Sequence, residues 1–152
     1  MEGKWCKNFF LAFAISAFVS APAWAIDHHH DLNGTWMLML PAGGSGGESA
    51  TAAGTVTIDD RVGNIYVVQN LTYGDSSGEA SSAFTLEGRK GATIREGNLT
   101  GKANWKNGVL EVEITQNDVT NVERFSLQPD GAMLLDFERP GRPSVTLLFE
   151  RE

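Results

Sequence analysis

Residues 101–114 read GKANWKNGVLEVEI, and this stretch decides the fold. Its centre, Asn107-Gly108, is the dipeptide that a two-residue type I′ turn favours, because both turn positions need a positive φ. Pairing outward from the turn gives one face that is wholly apolar or small, with the opposed pairs Trp105–Leu110, Ala103–Val112 and Gly101–Ile114. The other face carries Lys102 opposite Glu113, so a slip of one residue would bury charge. The stretch predicts a β-hairpin with a defined register.

The same alternation continues towards the C-terminus. Pro129-Asp130-Gly131 suits a three-residue loop with Gly131 in the left-handed region, and residues 139–143 form the next corner. These turns predict that the apolar face continues through the opposed pairs Leu127–Met133, Phe125–Leu135, Leu135–Leu147 and Phe137–Val145. Near Asn117-Asp118 the predicted loop has either two or four residues. Both lengths direct the same residues of the next strand inward.

Upstream of this region, short apolar runs alternate with Gly, Asn, Asp and Pro, roughly every eight to twelve residues. The predicted strands are 34–40, 54–59, 64–70, 80–87, 92–96, 98–106, 109–116, 119–128, 132–138 and 144–151. We therefore predict an all-β fold, a single antiparallel up-and-down meander barrel of about 8–10 strands, since closure removes exposed sheet edges.

The N-terminus has the pattern of an export signal. Lys4 and Lys7 precede an apolar run over 9–19 that is too short to span a bilayer, and Ala23-Trp24-Ala25 supplies the small residues of a cleavage site. We predict a signal peptide over 1–25, a flexible histidine-containing tail over 26–33 and the barrel over 34–152, in a periplasmic or secreted protein.

Composition excludes several classes of function. The single cysteine, Cys6, lies in the predicted signal peptide, so the mature chain has no disulfide and no thiolate chemistry. The net charge of −7 argues against binding to nucleic acid. Histidine is confined to the tail, and no zinc spacing, phosphate loop or nucleotide motif is present, so no enzyme is predicted.

Gly34-Thr35-Trp36 at the start of the first strand resembles the Gly-x-Trp opening of the lipocalin-like (calycin) barrels. Together with Trp105-x-x-Gly108-x-Leu110, the strand over 123–127 and the Asp130-Gly131 turn, it is similar to a group of small secreted bacterial lipocalin-like proteins. The resemblance implies the barrel fold. It also implies an arginine covering the tryptophan, for which Arg151 is the candidate because it shares parity with Phe149.

The barrel interior is the predicted binding site. Its candidate ligand-binding residues share the inward face and are Trp36, Leu99, Gly101, Ala103, Trp105, Glu123, Phe125, Leu135 and Phe137. The small residues Gly101 and Ala103 leave room on this face. An inward carboxylate at Glu123 is costly to bury without a partner, so it either lies at a solvated rim or is the polar group of a ligand cavity. We predict an exported lipocalin-like binding protein for a small apolar or amphipathic ligand.

A second hypothesis concerns the outer surface. Barrel closure would make neighbours of four outward apolar residues, Met37, Met39, Leu134 and Leu148, and a contiguous apolar strip suggests an interface. The alternative function is therefore a periplasmic protein-interaction module, or a protease-inhibitor-like barrel acting through its surface, with a homodimer or protein partner on this strip. The Gly/Ser-rich segment over 40–54 is either a gate over the open end or a plain flexible loop.

Cleavage after Ala25 would leave a mature chain that begins Ile26-Asp27-His28. A free amine followed by an imidazole at the third position offers the square-planar nitrogen ligands that suit Cu(II) or Ni(II). A metal site at the N-terminus is therefore one hypothesis, and a solvated tail that binds no metal is the alternative. We predict no other cofactor. No membrane span is predicted in the mature protein.

Overall fold

The computed structural model describes residues 31–39, 53–75 and 78–152. The predicted signal peptide, most of the predicted tail and most of the Gly/Ser-rich segment lie outside the described residues. So does the Cu(II) or Ni(II) site proposed for Ile26, Asp27 and His28, which stays a prediction.

Ten antiparallel strands make up the described part of the chain, and each corresponds to one predicted strand. They are β1 (Gly34–Leu38), β2 (Ala53–Arg61), β3 (Asn64–Asp75), β4 (Gly78–Arg89), β5 (Ile94–Glu96), β6 (Leu99–Lys106), β7 (Val109–Gln116), β8 (Val119–Leu127), β9 (Met133–Glu138) and β10 (Val145–Arg151). The predicted all-β class is confirmed. The main difference is that β3 and β4 form a longer hairpin than the sequence indicated.

The strands form one sheet in the order β4-β3-β2-β1-β10-β9-β8-β7-β6-β5. Consecutive strands pair in an up-and-down meander, and β1 pairs with β10. The sheet thereby curls into a nearly closed barrel whose two edges are β4 and β5. Side chains fill the gap between these edges: Leu86 of β4 reaches the position where a Cβ on Gly101 of β6 would lie, 2.2 Å from Leu86 Cδ1.

The predicted register of the C-terminal half is confirmed. Trp105 pairs with Leu110 and Lys102 with Glu113, and the turn residues Asn107 and Gly108 have φ of 52° and 79°. The remaining predicted pairs, Leu127–Met133, Phe125–Leu135, Leu135–Leu147 and Phe137–Val145, are also present. The loop left open in length has two residues, because Gln116 pairs with Val119. Both of its residues, Asn117 and Asp118, have positive φ.

The barrel has two distinct ends. The lower end holds residues 31–33 and the β2–β3, β4–β5, β6–β7 and β8–β9 turns, while the upper end holds the β5–β6, β7–β8 and β9–β10 turns. The chain leaves β1 and enters β2 at the upper end.

Trp36 closes the lower end. It is fully buried, and its indole Nε1 donates to the carbonyl oxygen of Leu32 at 2.9 Å. The Arg151 guanidinium lies 4.4 Å from the centre of the Trp36 ring and donates to the carbonyl oxygens of Asp31 and Asn33. The stack expected from the resemblance is therefore present. Leu32 is buried as well, so residues 31–33, assigned to the tail, contact the barrel.

The core is apolar and fills the interior from the lower end upward. Its largest fully buried side chains are Trp36, Tyr73, Phe125, Phe149, Leu32, Ile58, Ile65, Leu71, Leu86, Leu110, Met133 and Leu135. Among the described residues, three polar or charged side chains are buried beside them, Asp60, Gln69 and Glu123. The first belongs to the lower end, and the other two face each other inside the barrel.

Candidate ligand-binding interior

Three strands direct polar side chains into the middle of the barrel. Glu123 of β8 has the inward parity of Phe125, Gln69 of β3 has that of Leu71, and Ser82 of β4 lies two residues before the buried Phe84. Each interrupts a series of inward apolar residues. β8 faces β3 and β4 across the interior, so the three polar side chains meet although 54 residues separate Gln69 from Glu123.

Gln69 is the centre of this cluster. Its Nε2 donates to Glu123 Oε1 at 2.9 Å and to Ser82 Oγ at 2.8 Å. The Ser82 hydroxyl lies 3.5 Å from the same carboxylate oxygen. Glu123 is only 1% exposed. Of the two readings of Glu123 left open by the sequence, the solvated rim is therefore wrong.

Burial changes the protonation of Glu123. Removal from water raises the pKa of the carboxyl to about 8 from its usual 4.5, while the hydrogen bonds from Gln69 and Ser82 act in the opposite direction. The described residues offer Glu123 no ion pair. The acid is thus mainly neutral at pH 7. Because Oε1 accepts the bond from Gln69, Oε2 is the oxygen left to carry the proton.

Three buried oxygen atoms in this region lack a hydrogen-bond partner among the described residues. They are Glu123 Oε2, Gln69 Oε1 and Asn121 Oδ1. Asn121 lies two residues above Glu123 on the same strand. An unsatisfied buried polar group costs about 1–3 kcal/mol, and native proteins contain few of them. These three atoms mark the level of the interior at which a bound group or an ordered water would complete the hydrogen bonding.

Two aromatic rings and a cation lie next to the cluster, towards the upper end of the barrel. Tyr73 and Phe137 pack edge to face with their ring centres 5.8 Å apart. The Arg139 guanidinium lies 5.4 Å from the Tyr73 ring centre and 5.2 Å from that of Phe137. Phe137 pairs directly with Glu123. The interior therefore changes from apolar at the lower end, through an acid and amides at mid-height, to aromatic and cationic at the upper end.

Several predicted site residues share this interior, but not all at the same level. Trp36, Ala103, Glu123, Phe125, Leu135 and Phe137 are buried inside, and Leu99 is half-buried at the upper end of β6. The room expected beside Gly101 is filled by Leu86, because the short β5 lets β4 approach β6. Which of these residues contact a ligand stays a prediction.

Trp105 has a structural partner at the lower end. Its Nε1 donates to Asp60 Oδ2 at 2.7 Å, and Lys90 forms an ion pair with the other carboxylate oxygen of Asp60. The Asp60 amide donates to Asn33 Oδ1 at 2.7 Å. This network joins β2, β6 and the β4–β5 turn, and it places Trp105 below the polar cluster.

Sequence reasoning missed Gln69, Ser82, Tyr73 and Arg139. The parity that turned Glu123 inward also turns Gln69 inward, since Ile65 and Val67 precede it on β3. Tyr73 lay beyond the predicted end of that strand. Arg139 lay in a predicted corner, where parity gives no direction.

The outer strip has the predicted geometry. Met37, Met39 and Leu148 are 44%, 37% and 39% exposed, and Leu134 is half-buried. The Met39 amide donates to the Leu148 carbonyl at 2.8 Å, and Leu148 pairs with Leu134. The four side chains therefore adjoin across the β1–β10 seam. An interface there stays a prediction.

Within 31–39, 53–75 and 78–152, no cluster of three or more His, Cys, Asp or Glu side chains is arranged to hold a metal ion. Over the same ranges, no helix has the length and apolar character needed to cross a membrane.

Comparison with known proteins places the barrel among solved structures. No family model and no curated protein matches the chain. Solved structures do match. The fold is similar to that of fatty-acid-binding proteins. The Schistosoma mansoni fatty acid binding protein in complex with arachidonic acid is 12% identical, with a TM-score of 0.54, over 80% of this chain and 96% of that one.

Two more structures agree with this likeness. The fatty-acid-binding protein 1 of Echinococcus granulosus is 9% identical with a TM-score of 0.52, over 80% of this chain and 98% of that one. The wild-type fluorescent protein UnaG is 13% identical with a TM-score of 0.54, over 81% and 98%. At these identities the likeness concerns the fold. It confirms a calycin-like barrel, while the bacterial lipocalin-like group remains a resemblance on motifs.

Proposed function

We propose that this protein is an exported, non-catalytic binding protein for a small apolar or amphipathic molecule, held inside the barrel. The observation that carries the proposal is the cluster of Glu123, Gln69 and Ser82, a polar site with unsatisfied oxygens enclosed by an otherwise apolar interior. Binding sites for small molecules commonly combine apolar walls with a few placed polar groups.

The likeness to fatty-acid-binding proteins supports this proposal. One of the similar barrels was solved with arachidonic acid, an amphipathic molecule with a long apolar chain. The described interior of the present chain has the matching division, with apolar side chains in the lower half and polar groups at mid-height. An amphipathic ligand would place its chain against the first and its polar group near the second.

The proposal is tested on ligand retained by the full-length protein after expression in an exporting host. Native mass spectrometry of the purified protein, followed by organic extraction, is expected to show a stoichiometric small molecule. A matched pair of variants locates it. Ser82→Phe fills the interior, while Ser81→Phe places the same ring on the exposed outer face of the same strand.

We expect Ser82→Phe to lose the retained molecule and Ser81→Phe to keep it, with circular dichroism confirming that both variants fold. Equal retention by the two variants would contradict an interior site. Absence of any retained molecule, together with no binding of an added apolar fluorescent probe, would contradict the proposed function as a whole.

Export is the part of the proposal that rests on the N-terminal pattern around Lys4, Lys7 and Ala25. Cell fractionation followed by N-terminal sequencing is expected to place the mature protein outside the cytoplasm, beginning at Ile26. If so, titration with Cu(II) tests the amino-terminal site, with His28→Ala as the variant that should lose it. A cytoplasmic protein that still begins at Met1 would overturn both ideas.

A second candidate function is favoured by the outer strip of Met37, Met39, Leu134 and Leu148. Three of these side chains are more than a third exposed and they are contiguous, which is the arrangement expected of an interface. In this alternative the protein acts by binding a second copy or another protein. Sedimentation at micromolar concentration tests self-association. A dimer would support binding of a second copy, and a monomer would count against it.

A further inference from the structure

We infer that the ligand carries a cationic hydrogen-bond donor, a primary ammonium group, and that Glu123, Gln69 and Asn121 bind this group inside the barrel. The inference rests on the proposed function and specifies its ligand. It also distinguishes this site from one that would take the carboxylate of a fatty acid.

The three side chains leave atoms of one kind without a hydrogen-bond partner. For Glu123, Gln69 and Asn121 the unsatisfied buried atoms are all oxygens: Glu123 Oε2, Gln69 Oε1 and Asn121 Oδ1. The amide nitrogen of Gln69 is already used, since it donates to both Glu123 and Ser82. A primary ammonium has three N–H donors and no acceptor, so its hydrogen-bonding capacity matches three free oxygens.

The described surroundings of Glu123 hold no opposite charge. Of the elements packed around Glu123, β7 contributes inward Val112 and Ile114, and β9 contributes Leu135 and Phe137. β3 and β4 contribute Gln69, the titratable Tyr73 and the neutral Ser82. The amide of Gln69, the hydroxyl of Ser82 and the apolar side chains carry no charge.

Ionised groups of the barrel lie above and below this level. Among the described cations, Arg139 lies over the Tyr73 and Phe137 rings, while Lys90 is paired with Asp60 and Arg151 is stacked on Trp36 at the lower end. None of the three forms an ion pair with Glu123. An ammonium at Glu123 would supply the counter-charge that the described residues do not provide. A carboxylate there would find acceptors at Gln69 Oε1 and Asn121 Oδ1, and its donor at Glu123 would be the proton of the neutral acid.

Binding of an ammonium group changes the number of protons that the protein holds, and this change can be measured. Ammonium binding converts the neutral carboxyl of Glu123 to a carboxylate, so one proton leaves Oε2 for solvent whenever the pH is below about 8. Affinity for an amine should therefore rise roughly tenfold per pH unit up to that point and then level off, until the amine itself loses its proton near pH 10. A carboxylate ligand should show the opposite dependence, because it requires Glu123 to stay protonated.

The experiment is calorimetric titration of the full mature protein, freed of retained ligand, with three probes of equal chain length. Dodecylamine, dodecanol and dodecanoate are compared below their micellar concentrations at pH 6, 7, 8 and 9, in buffers of different ionisation enthalpy. We expect dodecylamine to bind at least tenfold more tightly than the other two at pH 8, with close to one proton released at pH 6.

Two glutamine variants test whether Glu123 is responsible for the tight binding of dodecylamine and for the proton release. Glu123→Gln should weaken dodecylamine by roughly tenfold or more at pH 8 and abolish the proton release, because the charge is gone. Glu113→Gln, which lies on the exposed face of β7, should leave both unchanged. Near-ultraviolet circular dichroism confirms that each variant retains its tertiary structure.

The outcomes separate this inference from the proposed function. Tightest binding of dodecanoate, or amine binding that is independent of pH and of Glu123, overturns the inference while an interior binding protein stands. If the folded protein binds none of the three chains, the proposed function fails with it.

Discussion

Replacement of Glu123 by glutamine is expected to stabilise the protein at alkaline pH and to change little at pH 5. Glutamine has nearly the same shape as the neutral acid. Its amide oxygen can accept from Gln69, as Glu123 Oε1 does at 2.9 Å, and its amide nitrogen takes the place of the protonated Oε2. The variant thus keeps the hydrogen bond and removes only the ability to ionise inside the barrel.

The size of the effect follows from the pKa of Glu123. In the unfolded chain the carboxyl loses its proton near 4.5, whereas burial in the folded barrel raises the pKa to about 8. Below 4.5 both states hold the proton and there is no penalty. Between these values the folded state binds more protons than the unfolded state, so stability falls by up to ~1.4 kcal/mol per pH unit. The full penalty, reached above pH 8, is roughly 5 kcal/mol.

Urea denaturation followed by tryptophan fluorescence measures this penalty, since Trp36 is fully buried in the folded state. The free energies of unfolding of wild type and Glu123→Gln are compared at pH 5, 7 and 9. The difference between them should be small at pH 5 and should grow to several kcal/mol in favour of the variant at pH 9. Glu113→Gln, on the outer face of β7, controls for the loss of one negative charge at the surface.

Parallel pH curves for wild type and Glu123→Gln would refute this reasoning, because they would mean that the carboxyl titrates alike in both states. A variant that becomes less stable than wild type as the pH rises would refute it more strongly. That result would require an ionised Glu123 to be stabilised in the fold by a cation, and the described residues provide no such ion pair.

Three further substitutions test other parts of the structure. Arg151→Ala should cost about 1–2 kcal/mol in urea denaturation, because it removes the guanidinium stacked on Trp36 and its bonds to backbone carbonyls; an unchanged midpoint would contradict a stabilising stack. Gly101→Ala should cost about 1–3 kcal/mol by overpacking against Leu86, whereas a neutral effect would mean that Gly101 borders open space. Leu148→Asp should leave folding intact and convert any dimer to monomer in sedimentation, and a wild-type monomer would exclude self-association through the outer strip.

Most of the fold could be predicted because the turn residues and the alternation of apolar residues determine the register of each hairpin locally. Asn107-Gly108 sets a turn in which both residues have positive φ, and the alternating residues on each side then have one possible inward face. The same holds at Gly131, where φ is 89°. The upper part of the β3–β4 hairpin was missed because Gly74-Asp75 reads as a break in the strand, although Thr72 and Tyr73 still pair with β4.

The site could be predicted only in part. The direction of a side chain follows from its own strand, whereas its burial depends on residues that are far away in the sequence. Parity on β8 shows that Glu123 points inward, and this needs no knowledge of distant residues. Whether water reaches it depends on β3 and β4, which pack across the barrel and whose polar residues are far away in the sequence. A single sequence contains no local pattern that links Gln69 to Glu123, so the rim and the buried site could not be distinguished.

Two carboxylates are buried among the described residues, Asp60 and Glu123, and their surroundings differ. Asp60 is saturated: one oxygen pairs with Lys90, and the other accepts the Trp105 indole at 2.7 Å. Glu123 has one oxygen hydrogen-bonded and the other without a partner among the described residues. This contrast supports the proposal that Glu123 receives its second hydrogen-bond partner from a bound ligand. The neutral form of Glu123 lets the barrel fold without that group, and ionisation on binding would then link occupancy of the site to the release of a proton.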